Sequence, residues 1–211
     1  MTRTPAAADG RAGPARVVLE LLALFGAAAL LAFGIKSFVA QAFYIPSGSM
    51  LPELQINDRV VVSKLAYRLH DPRRGDIVVF DCPEKACPPA ARNSGGNAVG
   101  HWLRSVGRAV GLVQPSAQEF IKRVVGLPGE RVEAHDGDVF VDGRRLVEPY
   151  LPAGTATGDF GPVEVPPDHL FVMGDNRPSS TDSRVFGPIP RSNVVGRTIV
   201  RVWPPASAGF L

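Results

Sequence analysis

The sequence predicts a mostly β protein, with an antiparallel sheet or barrel-like fold that follows one N-terminal transmembrane helix. Three observations predict this class. Short β-branched runs broken by Gly, Pro and Asp follow Pro52, tight-turn dipeptides separate several of these runs, and one long apolar run lies near the N-terminus. Strand-like runs do not alternate with helical patterns, which disfavours a parallel α/β sheet.

The apolar run extends from Val17 to Ile35 and contains one charge, Glu20. About 19 helical residues rise roughly 28 Å, close to the ~30 Å hydrocarbon core of a bilayer. Three arginines precede the run and Lys36 follows it, so the positive-inside rule places the N-terminus in the cytoplasm. The predicted organisation is a cytoplasmic tail (1–16), a transmembrane anchor (17–39) and an extracytoplasmic β domain (40–211).

Two other interpretations of the apolar run remain open. A buried core helix is one, although few helices of soluble proteins are apolar on every side. A cleavable signal peptide is the other, and Ala40-Gln41-Ala42 supplies a small-x-small cleavage signature. Signal peptides have apolar cores of about 7–15 residues, shorter than this run, so we favour an anchor in the cell membrane that is not cleaved.

The predicted strands are β-branched runs, and Asp136-Gly137 and Asp142-Gly143 predict tight hairpins between neighbouring runs. No internal repeat interrupts this pattern. The runs are Arg59–Leu65, Asp76–Phe80, Phe120–Val125, Arg131–Ala134, Val139–Val141, Leu170–Met173 and Val194–Val202.

Residues from about 81 to 118 do not fit the strand pattern and indicate an insertion in the β domain. Apolar residues between Trp102 and Val113 have rough helical spacing, interleaved with arginines. They fit either a basic amphipathic helix on a membrane surface or a surface helix packed on the domain. Cys82 and Cys87 form a disulfide or stay unpaired, since geometry decides between the two.

Composition excludes some classes of partner. The net charge is +3, and the Lys and Arg residues are scattered along the chain, so nucleic-acid binding is not expected. No spacing of Cys, His, Asp or Glu matches a metal site. We therefore expect neither a metal nor another cofactor.

Ser49 is the candidate nucleophile. It lies in a segment punctuated by Pro46, Gly48 and Pro52, in which large apolar residues flank two hydroxyls. Glycine permits a second backbone to approach closely, as a peptide substrate would require. This segment alone is equally compatible with an ordinary turn.

A serine needs a base, and Lys122 is the candidate. The four histidines lie beside turn residues or in the insertion, and no G-x-S-x-G motif is present. Strand alternation places Phe120, Lys122 and Val124 on one face and Arg123 on the other, so Lys122 is the charged residue of an apolar face. Lowering a pKa by about two units costs roughly 2.7 kcal/mol, which a purely structural role rarely justifies. A lysine on an edge strand is the alternative.

Four segments together resemble the bacterial type I signal peptidases. Pro46–Pro52 resembles their nucleophile box, Gly75–Phe80 the next conserved box, Lys122–Glu130 the lysine box, and Gly174–Arg184 the last box.

The resemblance implies the antiparallel β fold of that family and a Ser–Lys serine endopeptidase. In that likeness Ser49 is the attacking serine and Lys122 is the general base. The Ser49 backbone N–H and the Ser47 hydroxyl would form the oxyanion hole. The supporting residues it implies are Ser180, which orients the lysine, and the ion pair of Asp182 and Arg184.

The implied activity is the removal of signal peptides from exported preproteins after small-x-small sites, through an acyl-enzyme, at the lipid bilayer. An extended substrate would bind along residues 43–46 and 120–122. Two rivals are a Ser–Lys protease that cuts itself or a regulator, and a non-catalytic, membrane-tethered β module that binds peptides. The expected substrate-binding residues are Phe43, Ile45, Pro46, Met50, Phe120 and Ile121.

Overall fold

The structure is a computed structural model, and it describes residues 14–83, 86–87 and 119–211. The helix expected between residues 102 and 113 lies outside the described residues. Helix α1 (Pro14–Phe38) comes first, and every side chain from Arg16 to Ala32 is exposed. Among the helices of the described residues, none has the length and apolar character needed to cross a bilayer. The anchor at 17–39 stays a prediction.

The larger of the two sheets carries the residues of interest. Within the described residues it has eight antiparallel strands, in the order β1-β2-β11-β3-β4-β9-β10, with β12 beside β11. The strands are β1 (Ala40–Tyr44), β2 (Arg59–Ser63), β3 (Ile77–Asp81), β4 (Glu119–Gly126), β9 (His169–Met173), β10 (Ile189–Pro190), β11 (Val194–Trp203) and β12 (Gly209–Phe210).

The second sheet is smaller and follows β4 in the chain. It has four antiparallel strands in the order β7-β6-β5-β8. Two short helices, α2 (Ala66–Leu69) and α3 (Ser183–Phe186), lie in connections of the larger sheet. The strands are β5 (Arg131–His135), β6 (Asp138–Val141), β7 (Arg144–Arg145) and β8 (Phe160–Glu164).

The predicted mostly β, antiparallel class is confirmed. Every predicted run overlaps a strand, and both predicted hairpins form. Asp136 and Gly137 have φ values of 54° and 87°, and Asp142 and Gly143 have values of 51° and 71°. Positive φ at both central residues is the geometry of the tight hairpin turns that Asp-Gly favours.

Strand β4, which carries Lys122, runs through the hydrophobic core of the protein. Its residues Ile121 to Gly126 are all buried, and they contribute to apolar clusters on both sides of the strand. A Cβ at Gly126 would lie 2.6 Å from Val132 Cγ2, so a side chain there would separate β4 from β5. The absence of a side chain at Gly126 lets the second sheet pack directly against the strand that carries Lys122.

A disulfide joins Cys82 and Cys87. It directly follows β3, at the start of the predicted insertion. The sequence left this pairing open, and the structure shows the bridged form.

Candidate active site

Strand β4 places Lys122 on a buried face. Lys122 lies opposite Val78 on β3, and only 4% of the residue is exposed. The Phe120 side chain, two residues earlier on the same face, lies with its ring centroid 5.6 Å from Lys122 Nζ. The alternation expected from the sequence is therefore present, and the amine is shielded from solvent.

A 3₁₀ turn (Gly48–Met50) after β1 presents Ser49 to this amine. Ser49 is buried, with 8% exposure. Lys122 Nζ lies 2.7 Å from Ser49 Oγ and donates a second hydrogen bond, of 2.9 Å, to the Ile121 carbonyl. The two side chains are 73 residues apart in sequence, and the sheet brings them into direct contact.

The surroundings favour the neutral form of the lysine. Burial lowers the pKa of Lys122 from 10.5 to about 8, although the charges of Asp182 and Asp175 oppose this shift. No carboxylate forms an ion pair with this amine in the part of the chain that the structure describes. A neutral amine in contact with a hydroxyl can accept the hydroxyl proton.

The segment after β9 packs directly on the turn that carries Ser49. A Cβ at Gly174 would lie 2.5 Å from the Ser49 carbonyl oxygen and 2.2 Å from Ser180 Oγ, so only glycine fits there. Asn176 donates twice to the turn, from its backbone N–H to the Ser49 carbonyl (3.0 Å) and from its side-chain amide to the Gly48 carbonyl (2.9 Å).

Asp182 and Arg184 form the ion pair that the resemblance implied. Arg184 Nη2 lies 2.8 Å from Asp182 Oδ2, and Asp182 is fully buried. The same carboxylate accepts the backbone N–H groups of Gly174 (3.0 Å) and Arg184 (3.2 Å), which begins α3. The pair therefore fixes the Gly174 segment against Ser49.

Ser180 is placed differently from the expectation. Its Oγ is buried and has no hydrogen-bond partner among the described residues. A hydrogen bond between Ser180 and Lys122 is thus not formed in this structure, because the lysine amine is directed to Ser49 and to the Ile121 carbonyl. Ser180 nevertheless lies beside the nucleophile, across Gly174.

Sequence reasoning missed a buried ionic cluster behind the site. Arg123 donates to both carboxylate oxygens of Asp175, at 2.9 and 2.6 Å, and its guanidinium stacks 4.0 Å from the Tyr150 ring centroid. Arg177 donates to Glu148 at 2.9 Å. The pattern of β4 did place Arg123 on the face opposite Lys122, but no local pattern identified Tyr150 or Glu148.

A groove of about 610 Å³ runs past Ser49 and Lys122. Phe43, Ile45 and Pro46 line one wall, and Phe120 and Ile121 line the other. Val79, Asn176, Ser179 and Thr181 also line it.

Met50 does not line the groove, so its expected substrate contact is corrected. It is fully buried and packs in an apolar cluster that includes Leu54 and Val60. The 3₁₀ turn directs Ser49 to the groove and its neighbour Met50 to the core.

The described histidines lie away from this groove, and none lines it. His70, His135 and His169 sit at turns, hydrogen-bonded to nearby turn residues. Within the described ranges no group of His, Cys, Asp and Glu is arranged to hold a metal ion.

Comparison with known proteins gives a consistent set of relatives. A family model described as signal peptidase, peptidase S26, matches residues 18–203. A probable signal peptidase I-2 of Synechocystis sp. is 43% identical over 198 residues, covering 94% of this chain and 79% of the relative. The signal peptidase I of Leptolyngbya laminosa is 41% identical, with 92% and 84% covered. A crystal structure of a signal peptidase I from Enterococcus faecalis V583 matches with a TM-score of 0.40 at 30% identity, covering 61% of this chain and 97% of that chain.

Proposed function

The chain belongs to the signal peptidase family, peptidase S26, and on that premise we propose that it is a membrane-bound serine endopeptidase that removes signal peptides from exported preproteins. The family resemblance drawn from the sequence is confirmed. One observation carries the catalytic part of the proposal, the buried contact of 2.7 Å between Lys122 Nζ and Ser49 Oγ. A serine hydroxyl gains nucleophilic reactivity from such a neighbouring base.

Lys122 serves as the general base. Its lowered pKa, about 8, leaves a useful fraction of the amine neutral near neutral pH, and a base works best when its pKa lies near the working pH. Ser49 Oγ attacks the scissile carbonyl carbon while its proton passes to Lys122 Nζ. The amine leaving group then takes that proton, and an ester joins the signal peptide to Ser49. Water then gives a proton to Lys122 and attacks the ester carbonyl carbon. The Ser49 oxygen leaves and takes that proton from Lys122, which restores the hydroxyl and the neutral amine.

Two donors would hold the oxyanion that forms in each step. They are the backbone N–H of Ser49 and the hydroxyl of Ser47. The Ser47 hydroxyl lies 3.5 Å from Ser49 Oγ, a long contact that leaves it free to turn toward a substrate oxygen. Losing one such donor typically costs about 10²–10³ in kcat.

Ser180 would orient the lysine once the proton has moved. A buried hydroxyl without a partner is unfavourable, and the Ser180 hydroxyl, beside Ser49, has no hydrogen-bond partner among the residues that the structure describes. The ammonium formed on Lys122 would provide a donor for it. Asp182 and Arg184 support this arrangement by fixing the segment that carries Ser180.

An extended peptide fits between two free strand edges. Among the described residues β1 pairs with β2 only, and β4 pairs with β9 only from Arg123 onward. Within the described ranges, the edges of β1 and of residues 120–122 therefore remain available on the two walls of the groove. Strand addition at such edges supplies backbone hydrogen bonds, and the apolar side chains of Phe43 and Ile121 line the groove in which substrate side chains would lie. This supports cleavage after small-x-small sites.

Attachment to the cell membrane is part of the proposal, with the N-terminus in the cytoplasm and the catalytic domain outside. The exposed apolar side chains of α1 support it, among them Leu22, Phe25 and Leu30. Exposed apolar surface of this extent is typical of contact with a membrane or with another protein. Resistance of the full chain to carbonate extraction from membranes would test it.

The test of the catalytic proposal is a pair of substitutions in the full-length chain. Ser49→Ala removes the nucleophile and Lys122→Met removes the base at similar volume. We expect each to abolish cleavage of a precursor with an Ala-x-Ala site, measured by the appearance of mature protein, with the cleaved bond identified by mass spectrometry.

The matched control is Ser192→Ala, an exposed serine in the turn before β11. It should cleave like the unmodified chain. Normal processing by Ser49→Ala or by Lys122→Met, with either variant folded by circular dichroism, would refute the Ser–Lys assignment.

A further inference from the structure

Asn176 holds the turn that carries the nucleophile from a distant part of the chain. It lines the groove, and its side-chain amide donates a 2.9 Å hydrogen bond to the Gly48 carbonyl, across 128 residues of sequence. Its backbone N–H donates separately to the Ser49 carbonyl at 3.0 Å. The two hydrogen bonds therefore hold the carbonyls of Gly48 and Ser49, which belong to the peptide groups before and after Ser49.

The Gly48 carbonyl and the Ser49 N–H belong to one peptide group. A trans peptide is planar, and its C=O and N–H point in opposite directions. A hydrogen bond that holds the Gly48 oxygen therefore also sets the direction of the Ser49 N–H, the donor needed for the oxyanion.

The Gly48–Ser49 peptide group can rotate more easily than most, so its orientation depends on external contacts. Glycine adopts a wide range of backbone conformations, so rotation of the Gly48–Ser49 peptide meets less resistance than it would between two larger residues. Within the turn, the Gly48 carbonyl accepts a 3.2 Å bond from the Leu51 N–H. Among the described residues, Asn176 donates the hydrogen bond that reaches this carbonyl from outside the turn, and at 2.9 Å it is the shorter of the two.

We propose that Asn176 is a positioning residue that aims the Ser49 backbone N–H at the substrate oxyanion by holding the Gly48 carbonyl. The inference rests on the proposed function, because it assigns a role within that reaction. Asn176 acts through the peptide group, and among the described residues its side-chain amide hydrogen-bonds to Gly48 and not to Lys122.

The side-chain hydrogen bond of Asn176 can be removed without removing its backbone hydrogen bond. Asn176→Ala removes the side-chain bond to Gly48 and leaves the backbone bond from residue 176 to Ser49 in place, so the turn stays attached. Asn176→Asp preserves the shape, but a carboxylate has no donor for the Gly48 carbonyl. Both variants should lose the same function if donation, and not side-chain volume, is what matters.

The experiment measures kcat and KM of the full-length chain on an Ala-x-Ala substrate across pH. We expect each variant to lower kcat by about 10-fold to 100-fold at its own pH plateau, below the ~10²–10³ typical of losing a whole oxyanion donor. KM should change less than about twofold, since misalignment of an oxyanion donor weakens transition-state binding alone. The pH at half-maximal kcat should not move in Asn176→Ala.

Asn193→Ala, in the surface turn before β11, is the matched control and should keep its kcat. Full kcat in either Asn176 variant would overturn the inference. So would a raised KM with unchanged kcat, or a shifted pH profile in Asn176→Ala, which would indicate substrate contact or action through Lys122.

Ser49→Ala, measured in parallel, separates this inference from the proposed function. An inactive Ser49→Ala together with a fully active Asn176→Ala would overturn the role of Asn176 alone. An active Ser49→Ala would overturn the proposed function and the inference with it.

Discussion

Lys122 and Arg123 are neighbours on β4, and both are basic and buried, with 4% and 7% exposure. The groups that contact them on the two faces of the strand are very different. On one face the Arg123 guanidinium meets both oxygens of Asp175, the Gly75 carbonyl and the Tyr150 ring. On the other face the Lys122 amine meets a hydroxyl and a carbonyl. Arg123 is paired with a carboxylate, whereas no carboxylate of the described residues contacts the Lys122 amine.

The pKa shifts follow from this difference. Burial alone would lower the pKa of Arg123, but its hydrogen bonds to Asp175 and the charge of that carboxylate outweigh burial and raise it. For Lys122 burial prevails and lowers the pKa to about 8. Arg123 with its carboxylate therefore stays charged and serves the structure, whereas burial makes Lys122 lose its proton more readily, at a cost in stability.

The largest effect on stability should come from breaking the paired face. Asp175→Asn leaves the Arg123 charge buried without its counter-ion, and removing one partner of a buried pair typically costs 3–5 kcal/mol. We therefore expect the free energy of unfolding to fall by about that amount. Chemical denaturation followed by circular dichroism measures it.

Two further variants sharpen this test. Asp136→Asn removes a carboxylate that is almost fully exposed in the β5–β6 hairpin, and it should leave the free energy of unfolding unchanged. Arg123→Met combined with Asp175→Leu leaves no lone charge and should recover most of the loss. Equal stability of Asp175→Asn and the unmodified chain would mean that the ion pair does not compensate the buried Arg123 charge.

Local sequence patterns predict the part of the site that depends on neighbouring residues. The alternation of β4 separates Lys122 from Arg123, because a strand directs successive side chains to opposite faces. Local patterns likewise predict the strands and both Asp-Gly hairpins. Strand alternation and hairpin turns depend on only a few neighbouring residues, so a short stretch of sequence is enough to predict them.

Contacts between distant segments lie beyond such patterns. Arg123 and Asp175 are 52 residues apart, and Arg177 and Glu148 are 29 apart. Nothing near Glu148 or in its loop marks it as a partner of Arg177. Which distant groups meet is set by the packing of the two sheets and not by the local sequence.

Irregular segments account for the other differences. Met50 is apolar beside the nucleophile, and strand alternation says nothing about its direction in a 3₁₀ turn, where it enters the core. Strand β8 contains Gly161 and Pro162, residues that argue against a strand, yet it pairs with β5. Pro162 is exposed there and has no register partner on β5.

A smaller effect on stability, of opposite sign, should follow from removing the unpaired cation. The unfolded chain holds the Lys122 proton up to a pKa near 10.5, and the folded chain only up to about 8. Below pH 8 the folded state carries a buried charge, which costs roughly 3 kcal/mol at about 1.4 kcal/mol per pKa unit. Lys122→Met should therefore raise the free energy of unfolding at pH 7 by up to about 3 kcal/mol.

The pH dependence of that gain identifies its cause. Between pH 8 and pH 10.5 the unfolded chain binds more protons at Lys122 than the folded chain does, so the stability of the unmodified protein rises and the gain shrinks. Lys64→Met, at a partly exposed lysine after β2, is the matched control for the loss of a lysine side chain. A Lys122→Met variant that is less stable at pH 7 would show that the charged amine is stabilised after all.

The smallest effect is on the rate of the unmodified protein. The cleavage rate requires neutral Lys122, whose neutral fraction rises from about 9% to about 91% between one pH unit below and one above its pKa. With that pKa at about 8, kcat/KM should increase about tenfold from pH 7 to pH 9. Initial rates on an Ala-x-Ala substrate measure it, with circular dichroism at each pH to show that the fold is retained.

The pH at which kcat/KM is half-maximal reports the pKa of the catalytic base, and it links the chemistry of Lys122 to the charge of Asp175 behind it. Asp175→Asn removes a charge that raises the pKa of Lys122, so in that variant the inflection should move to lower pH even though its main effect is on stability. An inflection near 6.5 in the unmodified chain would instead indicate a histidine base, and the assignment of Lys122 would then fail. An inflection near 10.5, the ordinary lysine value, would mean that the amine is solvated and that its burial beside Ser49 has no chemical consequence.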